Sequence, residues 1–194
     1  MCMKNYLTID IGRNWLRYAL ISEEIDVYKT GKEELNSFTS REDLFTTIKK
    51  ITDSFSSRTD SLAITMPGII DTDSGMAYSA GIYRFIRNEP LAKEISEYTG
   101  MKTIILNDAK AAALAEVGYG SLKGVHTGVM VMLLGTGIGG AVIHDGKIFN
   151  GAHFGAGEFS YLTDSTQRAA DNSDMFALSC SLNCLVSVVK EVTH

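Results

Sequence analysis

Four stretches of the chain carry residues whose types and spacing suit chemistry on a phosphate and a hydroxyl. In IILNDAKAAALAE, Asn107 and Asp108 stand together where a strand pattern hands over to a helix pattern. One of the two is accounted for as a simple N-cap. A second adjacent polar side chain is more than a cap requires, and a carboxylate at the carboxyl end of a strand is well placed to accept a hydroxyl proton. In TIDIGRNWLRYALI, Asp10 ends a strand and Gly12 follows it, so a carboxylate and a close backbone turn point toward one place. The plain alternative is a solvated turn aspartate.

The third stretch, LGTGIGG, sets Gly135, Gly137 and Gly140 at the spacing G-x-G-x-x-G. A dinucleotide fingerprint needs a helix to start at that loop, with its N-terminus facing the pyrophosphate. Here AVIHDGK follows instead, reading as a strand that runs into a turn. What remains is a hairpin loop whose backbone N–H groups can approach phosphate oxygens, with the Thr136 hydroxyl as an added donor. A glycine-rich turn without a ligand is the alternative. In the fourth stretch, GAHFGAGEFSYL, Gly151, Gly155 and Gly157 make the backbone pliable before Glu158. Glu158 and Tyr161 are three residues apart, which on a helix puts both on one face. A surface glutamate beside a half-buried tyrosine is the competing reading.

The elements that must hold these residues follow from periodicity. Tyr6 to Ile11, Leu16 to Ile21 and Ile25 to Thr30 read as an antiparallel meander. Leu44, Phe45, Ile48 and Ile51 recur at helical spacing within Arg41 to Phe55, and a strand from Ser61 to Thr65 stops at Pro67-Gly68. After a turn-rich stretch, Asp71 to Gly75, a helix from Leu91 to Thr99 ends at Gly100 and a strand follows from Lys102 to Leu106. An alanine-rich helix runs from about Ala109 to Val117. Gly128 to Leu133 and Gly139 to Ile143 flank the glycine loop as a hairpin, followed by a turn at His144-Asp145-Gly146. Thr163 to Asp174 is polar and reads as a loop, and Leu178 to Val192 has helical apolar spacing.

Composition bounds the function. With 194 residues, 45% hydrophobic and 21% charged, the chain can bury a core as one large domain or two small lobes. A net charge of -5 without a basic patch argues against nonspecific binding to nucleic acid or to an anionic membrane. Cys2, Cys180 and Cys184, odd in number and widely split, suggest a reducing compartment. There is no apolar signal core and no run of 18 apolar residues, so a cytoplasmic location is expected.

Taken in order, DIGRN, PGIID, LNDAKAAALAE, LGTGIGGAVIHDG and GAGEFSYL resemble the ROK family of sugar kinases and sugar-responsive repressors, over about Tyr6 to Leu162. GAGEFSY and AGIYRF are more similar to the β-glucoside kinase branch than to the zinc-containing glucokinases. The resemblance implies an α/β protein with the actin-like ATPase, ribonuclease H-like fold: an N-terminal lobe over 1–110, the start of an incomplete C-terminal lobe over 111–194, and a sugar cleft between them. It implies transfer of the ATP γ-phosphoryl group to a hexose or hexoside hydroxyl. Asp10 and Gly12, with Arg13 and Asn14, would match the first phosphate loop, and Gly135, Thr136, Gly137, Gly139 and Gly140 the second. Asp10 would also help hold Mg2+ through the phosphates. Asp108 would match the catalytic base, and Asn107, Asp108, Glu158 and Tyr161 the sugar side of the cleft, with Gly68 lining it. ATP and Mg2+ are the implied cofactors and a sugar or β-glucoside the substrate. The complete protein would be a homodimer, with neither nucleic acid nor membrane as partner.

Three features depart from the family pattern. The first loop of relatives usually reads Asp-x-Gly-Gly-Thr, whereas Arg13 and Asn14 replace the second glycine and the threonine. A side chain there can obstruct backbone approach to phosphate, although arginine can itself pair with phosphate. Zinc-binding branches carry a histidine at the position of Tyr161 and a cysteine cluster, where this chain has only Cys180 and Cys184. Two ligands do not fill a tetrahedral structural site, so no zinc is expected and both cysteines read as core residues. Finally, the kinases of the family continue well past residue 194. The competing functions are a catalytically silent sugar-binding protein, favoured by Arg13 and Asn14, and a sugar-sensing repressor, which would need a helix-turn-helix before Asp10.

Overall fold

The structure is a computed structural model that describes residues 4–35, 40–125, 129–135, 137–163 and 174–192. The chain divides into two compact units, Met1–Asp108 and Ala109–His194.

In the first unit, β1 (Asn5–Ile11), β2 (Trp15–Ser22) and β3 (Val27–Glu34) form the antiparallel meander. β4 (Ser61–Met66) and β7 (Lys102–Asn107) add in parallel, giving the order β3-β2-β1-β4-β7. Strict alternation sorts the residues between the faces. Leu7, Ile9, Ile11, Leu62, Ile64 and Met66 are buried in the core. Thr8, Asp10, Ala63 and Thr65 take the opposite face by the same period. The core is completed by Leu44, Phe45, Ile48 and Ile51 of α1 (Arg41–Asp53) and by Leu91 and Ile95 of α2 (Leu91–Thr99). Ser40 caps α1 by accepting from the Asp43 N–H, and Gly100 ends α2 in the left-handed conformation at φ 78°. A small ribbon of β5 (Ile70–Asp71) and β6 (Met76–Ala77) occupies the turn-rich stretch.

The third strand starts later than periodicity suggests. Ser22 Oγ accepts from the N–H groups of Glu24 and Asp26, which draws these residues into a turn and puts Ile25 at φ 69°. Local side-chain to backbone bonding overrides strand propensity there.

In the second unit, α3 (Asp108–Gly118) continues from the chain boundary, and β8 (Val129–Leu134), β9 (Ile138–His144) and β10 (Lys147–Phe149) form an antiparallel sheet in the order β10-β9-β8. The β9–β10 link is a two-residue turn with Asp145 at φ 49° and Gly146 at φ 72°, the Asp-Gly chemistry that a primed hairpin turn favours. Ala113, Ala141 and Ile143 make its small core, with Val117 and Ile148 packed against them.

The C-terminal helix is broken. Instead of one helix from Leu178 there are two, α4 (Phe176–Ser179) and α5 (Leu182–Val192), separated at Cys180-Ser181, where Ser181 Oγ accepts from the Cys184 N–H. The expectation that both cysteines are core residues is corrected: Cys180 is exposed and Cys184 only partly buried. The reason is that the helical spacing marks an apolar face, and on α5 that face is uncovered among the described residues, with Leu185 and Val189 both more than half exposed at 59% and 51%. Cys2 and residues 164–173 of the polar loop lie outside the described residues.

Candidate functional site

β7 ends at Asn107 and α3 begins at Asp108, so Asn107 is both the last strand residue and the residue that precedes the helix. Its side chain is 4% exposed, and its Nδ2 donates to the Gly68 carbonyl at 2.9 Å. This fixes which end of the amide each neighbour meets. Gly68 sits at φ +120°, where a Cβ would come within 2.1 Å of the Ser79 carbonyl oxygen. Only glycine fits. The next residues are locked to the same loop, with Ile69 N–H donating to Ser79 Oγ and Tyr78 N–H to the Ile69 carbonyl. Asp108 places a carboxylate in the first turn of α3, where the helix dipole favours negative charge.

The first turn is built at the other end of the same sheet logic. Asp10 accepts from Thr65 Oγ1 at 2.9 Å and faces Arg17 at 3.5 Å, both from neighbouring strands. The Gly12 N–H donates to the Trp15 carbonyl, the Leu35 N–H donates to the Asn14 carbonyl, and the Tyr83 hydroxyl donates to the Gly12 carbonyl. Carbonyls of the turn are therefore held by the protein. The N–H groups of Arg13 and Asn14 have no partner among the described residues, and both residues are exposed. Neither takes a positive φ, so the two side chains that replace glycine and threonine are accommodated without left-handed strain.

Tyr83, within AGIYRF, has a role that its sequence context does not reveal. The residue is 5% exposed, packs edge-on against Phe85, and reaches Gly12 across 71 residues of sequence. Burial, and then the charge of Asp10, push its phenol up to about 12. No local signal marks such a long-range bond; a tyrosine between Ile82 and Arg84 in a turn-rich loop is the most the sequence offers.

The second glycine loop divides into two roles. Gly135 and Gly137 form the turn itself, with the Gly135 N–H donating to the Gly137 carbonyl at 2.9 Å. A Cβ on Gly137 would meet nothing within 4 Å, so the turn is open on that side. Gly139 and Gly140 lie within β9. A Cβ on Gly140 would fall 2.2 Å from the Phe159 ring, and one on Gly157, at φ +88°, would fall 2.7 Å from the Ala141 Cα. These glycines let the GAGEFSY loop press directly on β9. Thr136 lies outside the described residues.

Glu158 precedes a short 3-10 turn, Phe159–Tyr161, rather than an α-helix, and Tyr161 is exposed at 58%. The helix on which the pair would share one face is replaced by a single 3-10 turn that Glu158 precedes and Tyr161 ends. Behind this loop stands Lys110 of α3, which is 1% exposed. Its Nζ donates to Asn150 Oδ1 at 3.1 Å and to the Phe154 carbonyl at 2.8 Å. Burial lowers its pKa and the nearby Glu158 carboxylate partly offsets that. Lys110 was legible in principle: it shares the packed face of α3 with Ala113 and Val117, three and seven residues on.

Among the described residues no group of three histidine, cysteine, aspartate or glutamate side chains could hold a metal ion, and no helix is long and apolar enough to cross a membrane.

An antiparallel meander extended by parallel strands, with a carboxylate at the first turn and a glycine hairpin in the following unit, defines an actin-like ATPase fold. The chain belongs to the ROK family, whose family model matches residues 6–168. It is 28% identical over 165 residues to a glucokinase from Halalkalibacterium halodurans, covering 81% of this chain and 49% of that protein. It is 34% identical over 131 residues to a β-glucoside kinase from Klebsiella pneumoniae, covering 68% of this chain and 43% of that protein. In structure it is similar to a ROK family glucokinase from Streptomyces griseus in complex with glucose and AMPPNP, with a TM-score of 0.80, 24% identity, and coverage of 96% of this chain and 60% of that one. The chain thus spans about half the length of the curated relatives it matches.

Proposed function

We propose that the protein is an ATP-dependent kinase that transfers the γ-phosphoryl group to a hydroxyl of a hexose or hexoside. The observation that carries this reading is the Asn107-Asp108 pair at the β7–α3 junction, its amide locked by Gly68, in a chain of the ROK family. Phosphoryl transfer asks a protein mainly for positioning and charge stabilisation. Asp108 takes the proton from the attacking hydroxyl, while Asn107 and Glu158 hydrogen-bond sugar hydroxyls and Tyr161 flanks them. The unpartnered N–H groups of Arg13 and Asn14 and the open Gly135–Gly137 turn suit phosphate oxygens. Asp10, partly exposed beside that first turn, is the residue to hold Mg2+, which when bound would neutralise phosphate charge. ATP as the donor is supported by the glucokinase relative in complex with glucose and AMPPNP.

A coupled ADP-release assay of the full-length protein on glucose, N-acetylmannosamine and a β-glucoside tests the reading; turnover on at least one of them is expected. The second reading, a sugar-binding protein without turnover, is favoured by Arg13 and Asn14 in the first turn. Calorimetry separates them, because a silent protein binds sugar and not ATP-Mg, whereas the kinase binds both.

A further inference from the structure

Lys110 is the one charged residue among the largest fully buried side chains of the described residues. An ammonium taken out of water is costly unless hydrogen bonds replace its hydration, and an apolar residue of similar length would pack on this face of α3 without that cost. Two groups that receive it lie on one loop. Asn150 supplies a side-chain oxygen, and Phe154 supplies its carbonyl. Phe154 is at φ +60°, although the three neighbours at 151, 155 and 157 are glycines to which such backbone freedom comes more easily. A bulky aromatic residue in the left-handed region stores strain and persists only where its surroundings hold it. Here the buried ammonium grips the carbonyl of that strained residue. Further along the same loop, Ala156 N–H donates to the Asn150 carbonyl and Glu158 N–H to the Gly155 carbonyl, so the restraint is passed to Glu158 in short steps.

We propose that Lys110 is a positioning residue for sugar recognition: from α3 it clamps residues 150–154, and through them sets the carboxylate of Glu158 against the sugar hydroxyls. This rests on the reading of Glu158 as a sugar ligand given above. Lys110 touches neither sugar nor nucleotide in this scheme. Its removal therefore loosens sugar binding while leaving nucleotide binding alone, and raises the sugar KM more than it lowers kcat.

The test is calorimetry and steady-state kinetics on the full-length protein with glucose, N-acetylmannosamine, methyl β-glucoside and AMPPNP as probes. Lys110→Met and Glu158→Gln are each expected to weaken sugar binding by about ten-fold, with the double variant little worse than either, because residues acting through one contact are not additive. AMPPNP affinity stays within about two-fold of wild type in Lys110→Met, as expected for a site with no shared partner. Phe154→Asn, which tolerates the left-handed region, recovers part of the sugar affinity in the Lys110→Met background. Should Lys110→Met fail to fold, Asn150→Ala removes one acceptor, keeps the other, and is expected to weaken sugar binding with the same selectivity.

The inference is overturned if Glu158→Gln weakens sugar binding while Lys110→Met, or Asn150→Ala in its place, leaves it at the wild-type level. It is equally overturned if sugar and nucleotide affinities fall together. If the wild-type protein binds none of the three sugars, the kinase reading fails and the inference fails with it; sugar binding indifferent to Glu158→Gln overturns the inference while leaving the kinase reading in place.

Discussion

Replacing Tyr83 by Phe removes one oxygen and leaves the ring that packs against Phe85, so it isolates the hydroxyl that donates to the Gly12 carbonyl. A hydrogen bond of this kind contributes about 1 kcal/mol net. Gly12 is partly accessible, so water can take over its carbonyl and the loss stays near that value. For a chain of this size about 1 kcal/mol lowers Tm by about 2–4 °C. The pH dependence gives a second, independent signature. The phenol is raised from 10.0 to about 12 in the folded state, so folding favours its protonated form. The associated stability is fully present below pH 10 and is lost as pH rises through 12. A rise of that size sets a ceiling of about 3 kcal/mol, and partial solvent screening reduces the working figure to about 1 kcal/mol. Tyr83→Phe should lack this alkaline loss, so the gap in Tm between wild type and variant narrows between pH 10 and 12. If the hydroxyl also holds the first turn for phosphate, the ATP KM rises by about five-fold for each 1 kcal/mol lost there. Thermal melts at pH 7 and at alkaline pH, with ATP titrations at saturating sugar, measure all three. Equal melting temperatures, parallel pH profiles and an unchanged ATP KM would refute the reasoning.

Other perturbations have equally definite outcomes. Gly68→Ala puts a Cβ 2.1 Å from the Ser79 carbonyl at a φ of +120°, so it should destabilise the first unit by about 2–4 kcal/mol, visible as a lower midpoint in urea unfolding. Gly140→Ala drives a methyl into the Phe159 ring and should displace the GAGEFSY loop, raising the sugar KM by about ten-fold with little change in the ATP KM. Lys110 has its folded pKa lowered, mainly by burial, so the unfolded chain binds its proton more tightly. Its contribution is unfavourable below the folded pKa and is relieved as pH rises toward the ordinary lysine value of 10.5; Lys110→Met should show a flatter stability profile over that range in urea melts.

What could be read in advance follows the reach of the interactions. Helix α2 was legible because Leu91 and Ile95 repeat at helical spacing and Gly100 supplies a left-handed stop; both signals are local. The glycine loop was legible as a hairpin because Val142 and Ile143 continue it as a strand, which set the dinucleotide spacing aside. At Gly140 the local pattern is silent about the close approach of the Phe159 ring, which comes from nineteen residues further on. The position of Lys110 on the packed face of α3 is legible, but its partners Asn150 and Phe154, like the Gly12 partner of Tyr83, are brought in by tertiary structure and carry no local signal. The helix break at Cys180-Ser181 escaped notice because apolar spacing continues across it.

Asp108 is proposed above as the base of a sugar kinase. The most direct measurement pairs ADP release with sugar calorimetry for the full-length protein and its Asp108→Asn variant, across glucose, N-acetylmannosamine and a β-glucoside. Turnover of at least one sugar by wild type, a fall of about 100-fold or more in kcat for Asp108→Asn, and sugar affinity largely spared are expected. Retained turnover in Asp108→Asn, or no ADP release by wild type on any of the three, would contradict that role.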